Sequence, residues 1–520
     1  FVGAGYYAEY DGTPRNLLTI ITAHEAAHQW WHTLVGNDQA GEPWLDSPPL
    51  FHWIAAVLAK VIGLVLPLHD AARLATGLFA GIMIACLWAA ARRFIGQEAA
   101  RGAVLVALGC LGLLVHAHEF QPAIVHLAAT AALYWGLALL PEQPRRGGAL
   151  AGAALGLDFL AVGLPVLITL GPLLLLLPLI WSRLRTSQGA HGMLAALAVA
   201  APLILIWPLT LYLKDPAAFA AWWTRELAGL KPGSNVSLSL WNFLQLLSWF
   251  AWPALPLAAW TLWKERRRLI EPRTLIPLTS FVVLLAVQSV FSEPRSLNAL
   301  PLLPPLILLA APATLSLRRG AANAFDWFGM MTFSLLAGLI WLGWAAMVFG
   351  VPPQIAKNMV RQVPGFVAHF MPIAFAVSLA LTFAWLWLIF ASPRSPQRGT
   401  MHWAAGVTLC WGLLMALWLP WIDHGRSYRA VATALKAALP AGEGCIGGRG
   451  LGSTQRAAFH YFAGVKTQRE GSRAAAQCRL FLTQGTLQKE APPSGSGWRK
   501  IWEGSRPSDR SERFRLYARP

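Results

Sequence analysis

From Leu50 to Leu419 the chain returns again and again to apolar runs, parted by short polar turns. A run of about 20 apolar residues is what one α-helix needs to cross about 30 Å of hydrocarbon. In that medium no water is available to the backbone, so each run must satisfy its own hydrogen bonds as a helix. Composition agrees: 13% of the 520 residues are charged and 56% hydrophobic, whereas a soluble chain carries about a quarter charged. The expected fold class is an all-α polytopic membrane protein.

Twelve segments fit as spans: 72–91, 103–117, 122–140, 149–162, 163–181, 192–212, 241–262, 274–291, 298–315, 329–350, 367–391 and 402–420. The break at Gly163-Leu164-Pro165 divides one overlong run into a hairpin. The formal net charge of +18 sits largely in short clusters between runs. These are Arg92-Arg93, Arg145-Arg146, Arg183 with Arg185, Lys264 with Arg266, Arg267 and Arg268, Arg318-Arg319, and Arg394 with Arg398. Cytoplasmic loops are enriched in Lys and Arg, and alternation of twelve spans puts every cluster inside. His69-Asp70 and the loops 116–121, 214–242, 292–296 and 351–365 then lie outside, with the tail from Trp421 onward. No basic module interleaved with aromatic residues is visible, so the expected partners include membrane lipids and no nucleic acid.

Residues 421–520 are polar and basic. SYRAVATALKAAL and STQRAAFHYFAG have helical periodicity, CRLFLTQ and FRLYA read as strands, and KEAPPSGSGW is a turn-rich connector. A small C-terminal α/β outer domain is expected. Cys86, Cys110 and Cys410 lie in apolar runs as packing residues. Cys445 and Cys478 lie in the tail, where an oxidising outer compartment would allow a disulfide.

The start of the chain is of another kind. His24-Glu25-x-x-His28 sets two imidazoles four residues apart, on one helical face, where both reach a single Zn²⁺. Glu25 would then be general base toward a metal-bound water. HEAAHQWWHTLVGNDQAGEPWLD, with YYAEYDGTPRNLLTIIT before it, resembles the active-site helices of the aminopeptidase N-like zinc peptidases (gluzincins) over residues 1–46. The resemblance implies His24 and His28 as ligands and Glu25 as catalytic base. It also implies a third ligand, a glutamate directly after WLD, where this chain has Ser47. A catalytic zinc site takes three protein ligands and a water. The expectation is a peptidase remnant with an incomplete site, binding zinc weakly at His24 and His28.

From Ser47 the resemblance changes. DSPPLFHWIAAVLAKVIG, the order and sidedness of the helices, EPRSLNALPLLPPLILLAAP, and LPWIDHGRSYRAVATAL entering the tail carry it. Over about 47–520 the chain resembles the bacterial C-type glycosyltransferases of family 39, related to lipid A aminoarabinose transferase and protein O-mannosyltransferases. That implies a zinc aminopeptidase-like fragment at 1–46, a transmembrane glycosyltransferase region at 47–420 and a periplasmic α/β domain at 421–520. It implies a polyprenyl-phosphate-linked sugar as donor, lipid A or protein as acceptor, and the bacterial inner membrane as location. In such a transfer an acidic residue takes the acceptor proton and cations steady the phosphate leaving group. The family's acid lies on the first outer loop, after a first helix. Here peptidase-like sequence occupies that place and the chain opens at Phe1. The first family helix is therefore expected to be missing, and the chain to be inactive in both chemistries. The alternatives are a membrane-anchored zinc aminopeptidase and a lipid or solute transporter.

Asp46 matches the acidic position before PPL and is the catalytic candidate. His52 and Lys60, eight apart on an otherwise apolar helix, either meet a headgroup or wet an interfacial helix. His118 and Glu119, with His116, form an outer-loop cluster open to acceptor, metal or plain solvent. Arg295, beside Glu293, suits a phosphate. Trp222, Trp223 and Glu226 read equally as an aromatic belt or a sugar platform, and Asp158 must face protein or water. Topology is directly testable. Reporter fusions at Arg318 and Gly442 should report opposite sides of the membrane, and the same side for both would rule out twelve spans.

Overall fold

The computed structural model describes residues 37–39, 42–45 and 47–519, apart from 234, 441–444, 472, 491, 494, 496 and 510. A short antiparallel hairpin, β1 (Asn37–Gln39) and β2 (Glu42–Trp44), comes first. The helices that follow are α1 (Leu50–Ile62), α2 (Leu68–Phe94), α3 (Gln97–Leu108), α4 (Leu111–His116), α5 (Ala123–Leu139) and α6 (Pro144–Val162). Next are α7 (Pro165–Ile180), α8 (Ser187–Lys214), α9 (Pro216–Gly229), α10 (Val236–Phe250), α11 (Ala254–Lys264) and α12 (Pro272–Phe291). The apolar part closes with α13 (Ser296–Ser316), α14 (Arg319–Phe349), α15 (Pro353–Gln362), α16 (Pro372–Ala391) and α17 (Arg398–Leu417).

Among the described residues seven helices are long and apolar enough to cross a membrane: α2, α8, α12, α13, α14, α16 and α17. The bent pair α10 and α11 makes an eighth, and α1, α5 and α7 are shorter apolar helices. Each of the twelve expected segments falls on helix, but two are not straight rods. Segment 103–117 breaks at Gly109-Cys110 into α3 and α4, and segment 241–262 turns through 102° between α10 and α11. Pro253 explains the second break, since proline has no N–H and its ring collides with the preceding turn. Starts are equally local in origin. Proline occupies the first turn of α6, α7, α9, α12, α15 and α16, where its missing N–H costs nothing. Asp215 and Asn235 cap α9 and α10, accepting from Ala218 N at 2.9 Å and Leu238 N at 3.0 Å.

The two breaks dock on each other. Leu111 N donates to Trp252 O at 3.0 Å, and the Cys110 thiol reaches Phe250 O at 3.7 Å. Trp403 of α17 donates from Nε1 to Gly109 O at 2.8 Å. Its ring packs against Phe325, Phe328, Phe333 and Trp252, with centroids 4.9–5.9 Å away. Elsewhere small residues set the spacing. Gly148, Gly152 and Gly156, four apart, share one face of α6. A Cβ at Gly148 or Gly152 would overlap the carbonyl of Gly192 or Ala196 on α8. Close backbone approach of this kind supplies the packing that holds helices together in lipid.

Contacts sort into two ends. At one, Arg93 pairs with Glu142 at 2.6 Å, Gln397 donates to Glu98 O at 2.9 Å, and Arg318 lies over the Trp260 and Trp263 rings. At the other, Thr76 donates to Glu119 O at 3.2 Å, Gly233 N to Val290 O at 2.7 Å, and Trp421 Nε1 to Met359 O at 3.4 Å. Each contact joins segments that charge alternation assigns to one side.

Helix α18 (Leu419–Arg426) leads into the polar domain, with α19 (Arg429–Ala438) and α20 (Ser453–Ala463). Its strands are β3 (Ile446–Arg449), β4 (Thr467–Arg469), β5 (Leu480–Thr486), β6 (Arg499–Gly504) and β7 (Glu512–Ala518), in the order β4-β3-β5-β7-β6. β3 runs parallel to β4 and β5, while β7 is antiparallel to β5 and β6. Val431, Leu435, Phe459, Leu482, Phe514 and Leu516 form its core. The Cys445 and Cys478 sulfurs are bonded, with Cα atoms 5.1 Å apart, tying the leading ends of β3 and β5. The domain sits at the end of α2 opposite Arg92-Arg93, where His69 Nδ1 meets the Tyr461 hydroxyl at 2.9 Å.

The α6–α8 contact gives a sharp contrast between two glycines. Gly152→Leu should lower the melting temperature of the purified protein and cost about 1–3 kcal/mol by overpacking. Gly171→Leu, where an added Cβ meets nothing within 4 Å, should stay within about 0.5 kcal/mol. Thermal unfolding of both variants in detergent checks this.

Candidate functional site

The first turn of α1, the start of α2 and the loop 116–121 come together near the polar domain. Phe51 of α1 stacks on Phe120 at 4.9 Å, so α1 and the loop are locked together. Beside them His52 is fully buried. Thr76 fastens the loop to α2 through Glu119 O. One turn earlier on α2 lies Arg73, only 5% exposed. Its charge is close enough to act on both His69 and His118. On the polar domain Arg429 stands over the Phe462 ring at 5.3 Å and acts on His69, Tyr461 and Asp423. Burial pushes the Asp423 carboxyl above its usual range, and Arg429 opposes that.

Within the loop the acid is held rather than presented. Glu119 is 3% exposed; its Oε2 lies 2.6 Å from His116 Nδ1 and accepts from Gln121 Nε2. His118 turns the other way. Its Nδ1 is 2.7 Å from Leu114 O and its ring packs on Trp411 at 4.9 Å. Burial holds its pKa below the ordinary imidazole value. His118 and Glu119 therefore engage different neighbours. Among the described residues no group of three or more His, Cys, Asp or Glu is placed to hold a metal.

Other candidates part company as well. His52 is buried while Lys60 is exposed. Eight residues of α-helix turn through about 800°, leaving the two roughly 80° apart, too far to share a face here. Arg295 is 60% exposed and pairs with Glu293 at 2.7 Å. It lines a separate cavity of about 360 Å³ between α7, α9 and α12, together with Gln288, Ser292 and Asn298. Trp222 is fully buried edge-on to Trp207 at 4.8 Å, so it is core and no platform for a sugar. Glu226 accepts from Leu164 N at 2.9 Å and closes the α6–α7 turn; burial raises its pKa. Asp158 faces protein, 2.6 Å from His126 Nδ1. Asp46, Glu25, His24 and His28 lie outside the described residues.

Arg73 is the residue that sequence reasoning passed over. Its signal was legible: an arginine one residue inside an expected span, on the side that the arginine bias leaves poor. A cation in that place is costly and calls for a partner or a function.

The family model described as dolichyl-phosphate-mannose-protein mannosyltransferase matches residues 46–207. It begins where the sequence resemblance changes. No curated protein matches the chain in sequence. Two crystal structures of ArnT from Cupriavidus metallidurans follow its fold, each over 100% of this chain and 95% of theirs. The apo state is 16% identical with a TM-score of 0.68, and the state bound to undecaprenyl phosphate 17% identical with 0.67. The chain is thus a multi-span membrane protein with the ArnT fold, and its residues 46–207 match a glycosyltransferase family model.

Proposed function

We propose that the chain is a membrane glycosyltransferase that takes a sugar from a polyprenyl-phosphate donor and passes it to lipid A or a protein on the outer face of a bacterial inner membrane. The observation that carries this reading is the likeness over the whole chain to ArnT, one of whose structures holds undecaprenyl phosphate. The match of residues 46–207 to a family of lipid-phosphate-sugar transferases supports it from sequence. In the transfer an acceptor hydroxyl oxygen bonds to the anomeric carbon. The bond from that carbon to the phosphate oxygen breaks, and the phosphate leaves with the electron pair. The acceptor proton passes to a carboxylate, for which Asp46 is the candidate. Arg73 serves the leaving phosphate, because a guanidinium shielded from water binds phosphate more strongly than an exposed one. Arg295 serves less, since water and Glu293 already engage it. The polar domain is periplasmic and closes over this end.

Residues 1–46 enter the reading through sequence alone. Their peptidase-like sequence stands where the family carries its acidic loop, and Asp46, the candidate acid, stands without that loop, so donor lipid binds while transfer stays at background. Purified chain should retain undecaprenyl phosphate yet move no aminoarabinose or hexose from an undecaprenyl-phosphate donor. Exchanging residues 1–46 for a relative's first helix and acidic loop should restore transfer. In that repaired chain Arg73→Gln should weaken donor use by about 1.5–3 kcal/mol, the worth of a hydrogen bond to a charged group. Arg295→Ala should change it less than about threefold. Transfer at an ordinary rate by the unrepaired chain would refute inactivity. A reversed order for the two arginines would move the phosphate to the cavity beside Arg295.

A further inference from the structure

A second donor-rich cavity lies away from Arg73. It has a volume of about 520 Å³ and sits where α15, α18 and the loop before β7 meet. Arg361, Gln362, Arg426 and Ser508 bring polar groups to it, and among the described residues none of those lining it is acidic. Its walls are fixed. Trp421 ties α18 to the α15 carbonyl at Met359, and the Ser508 hydroxyl donates to Gly425 O at 2.6 Å. A Cβ at Gly425 would come within 3.0 Å of Val363 and meet Ser508 at 3.4 Å, so the three elements are closely packed there. Two guanidinium groups, the Gln362 amide and no carboxylate make a receptor for an anion.

The surroundings say which anion. Helix α15 contributes no buried residue, carries Lys357 and Arg361, and leaves Val360 61% exposed. Exposed Val351, Val367, Phe370 and Met371 flank it, next to the lipid-facing helices α14 and α16. Basic residues beside an uncovered apolar strip describe a helix lying in the membrane interface. We propose that this cavity seats the phosphate headgroup of an anionic membrane phospholipid, whose chains lie along the apolar strip. The headgroup bridges the membrane bundle and the polar domain at the α18 joint. The inference does not depend on the glycosyltransferase reading.

The test is native mass spectrometry of the full chain released from micelles doped with equal amounts of phosphatidylglycerol or phosphatidylcholine. One phosphatidylglycerol should be retained at least tenfold better than phosphatidylcholine. Arg361→Gln with Arg426→Gln should remove that preference. Arg145→Gln, at a basic cavity on the opposite end, should leave it intact. Millimolar inorganic phosphate should displace little of the lipid. Equal retention of the two lipids, an unchanged double variant, or loss of preference in Arg145→Gln would overturn the assignment. Full displacement by inorganic phosphate would assign the site to a free anion and overturn the lipid.

Discussion

A backbone amide surrounded by hydrocarbon has no solvent to turn to, and an unpaired one costs several kcal/mol. That constraint governs the centre of this molecule, because two of its apolar segments are broken part-way. The breaks at Gly109-Cys110 and at 251–253 are tolerable because they face each other. Leu111 N uses the carbonyl freed at Trp252, Cys110 uses that of Phe250, and the Trp403 indole uses that of Gly109. Each break supplies partners that the other lacks. α3, α4, α10, α11, α14 and α17 thereby converge on one knot of aromatic rings. The remaining helices pack around it with small residues, as α6 and α8 do through Gly148 and Gly152.

Hydropathy put helix under each of the twelve segments because the bilayer requirement acts on averages over many residues, although among the described residues seven helices, or eight with the bent pair, are long and apolar enough to cross. Arginine bias sorted the loops onto two sides for the same reason, and the contacts Arg93–Glu142 and Thr76–Glu119 respect that sorting. What stayed hidden depends on single angles. A run such as 103–117 reads as one helix until Gly109 finds Trp403. His52 and Lys60 read as a pair on one helix until α1 packs with Phe51 against Phe120, burying the first and leaving the second exposed. Trp222 looks interfacial in sequence, yet Trp207 buries it. Arg73 was visible as an exception to the charge pattern, and exceptions are where function departs from folding rules. The peptidase-like motif at His24, Glu25 and His28 remains a statement about sequence, beyond the described residues.

The two ends of the molecule use charge differently. One end spends most of its arginines on exposed pairs and tryptophan faces, such as Arg93 with Glu142 and Arg318 over Trp260 and Trp263. Exposed pairs contribute little to stability and serve mainly to orient the chain. The other end sets single cations at its joints: Arg73 within the bundle, Arg429 at the domain contact, and Arg361 with Arg426 around the α18 joint. A guanidinium taken from water interacts far more strongly with an anion than an exposed one does.

The strand order of the polar domain has a consequence for biosynthesis. β7 lies between β5 and β6, so an inner position of the sheet is filled by residues 512–518, made after β5. Once β5 has left the ribosome, residues 487–511 must be added before its antiparallel partner exists. At about 5–20 residues per second that takes roughly 1–5 s. Throughout that interval Leu480, Phe481 and Leu482 stand on an open edge, a template for pairing with a foreign strand. The unfinished sheet is then open to neighbours of the same kind. The Cys445–Cys478 link, which joins β3 to β5 without needing β7, can hold the half-built sheet in register until its missing strand arrives.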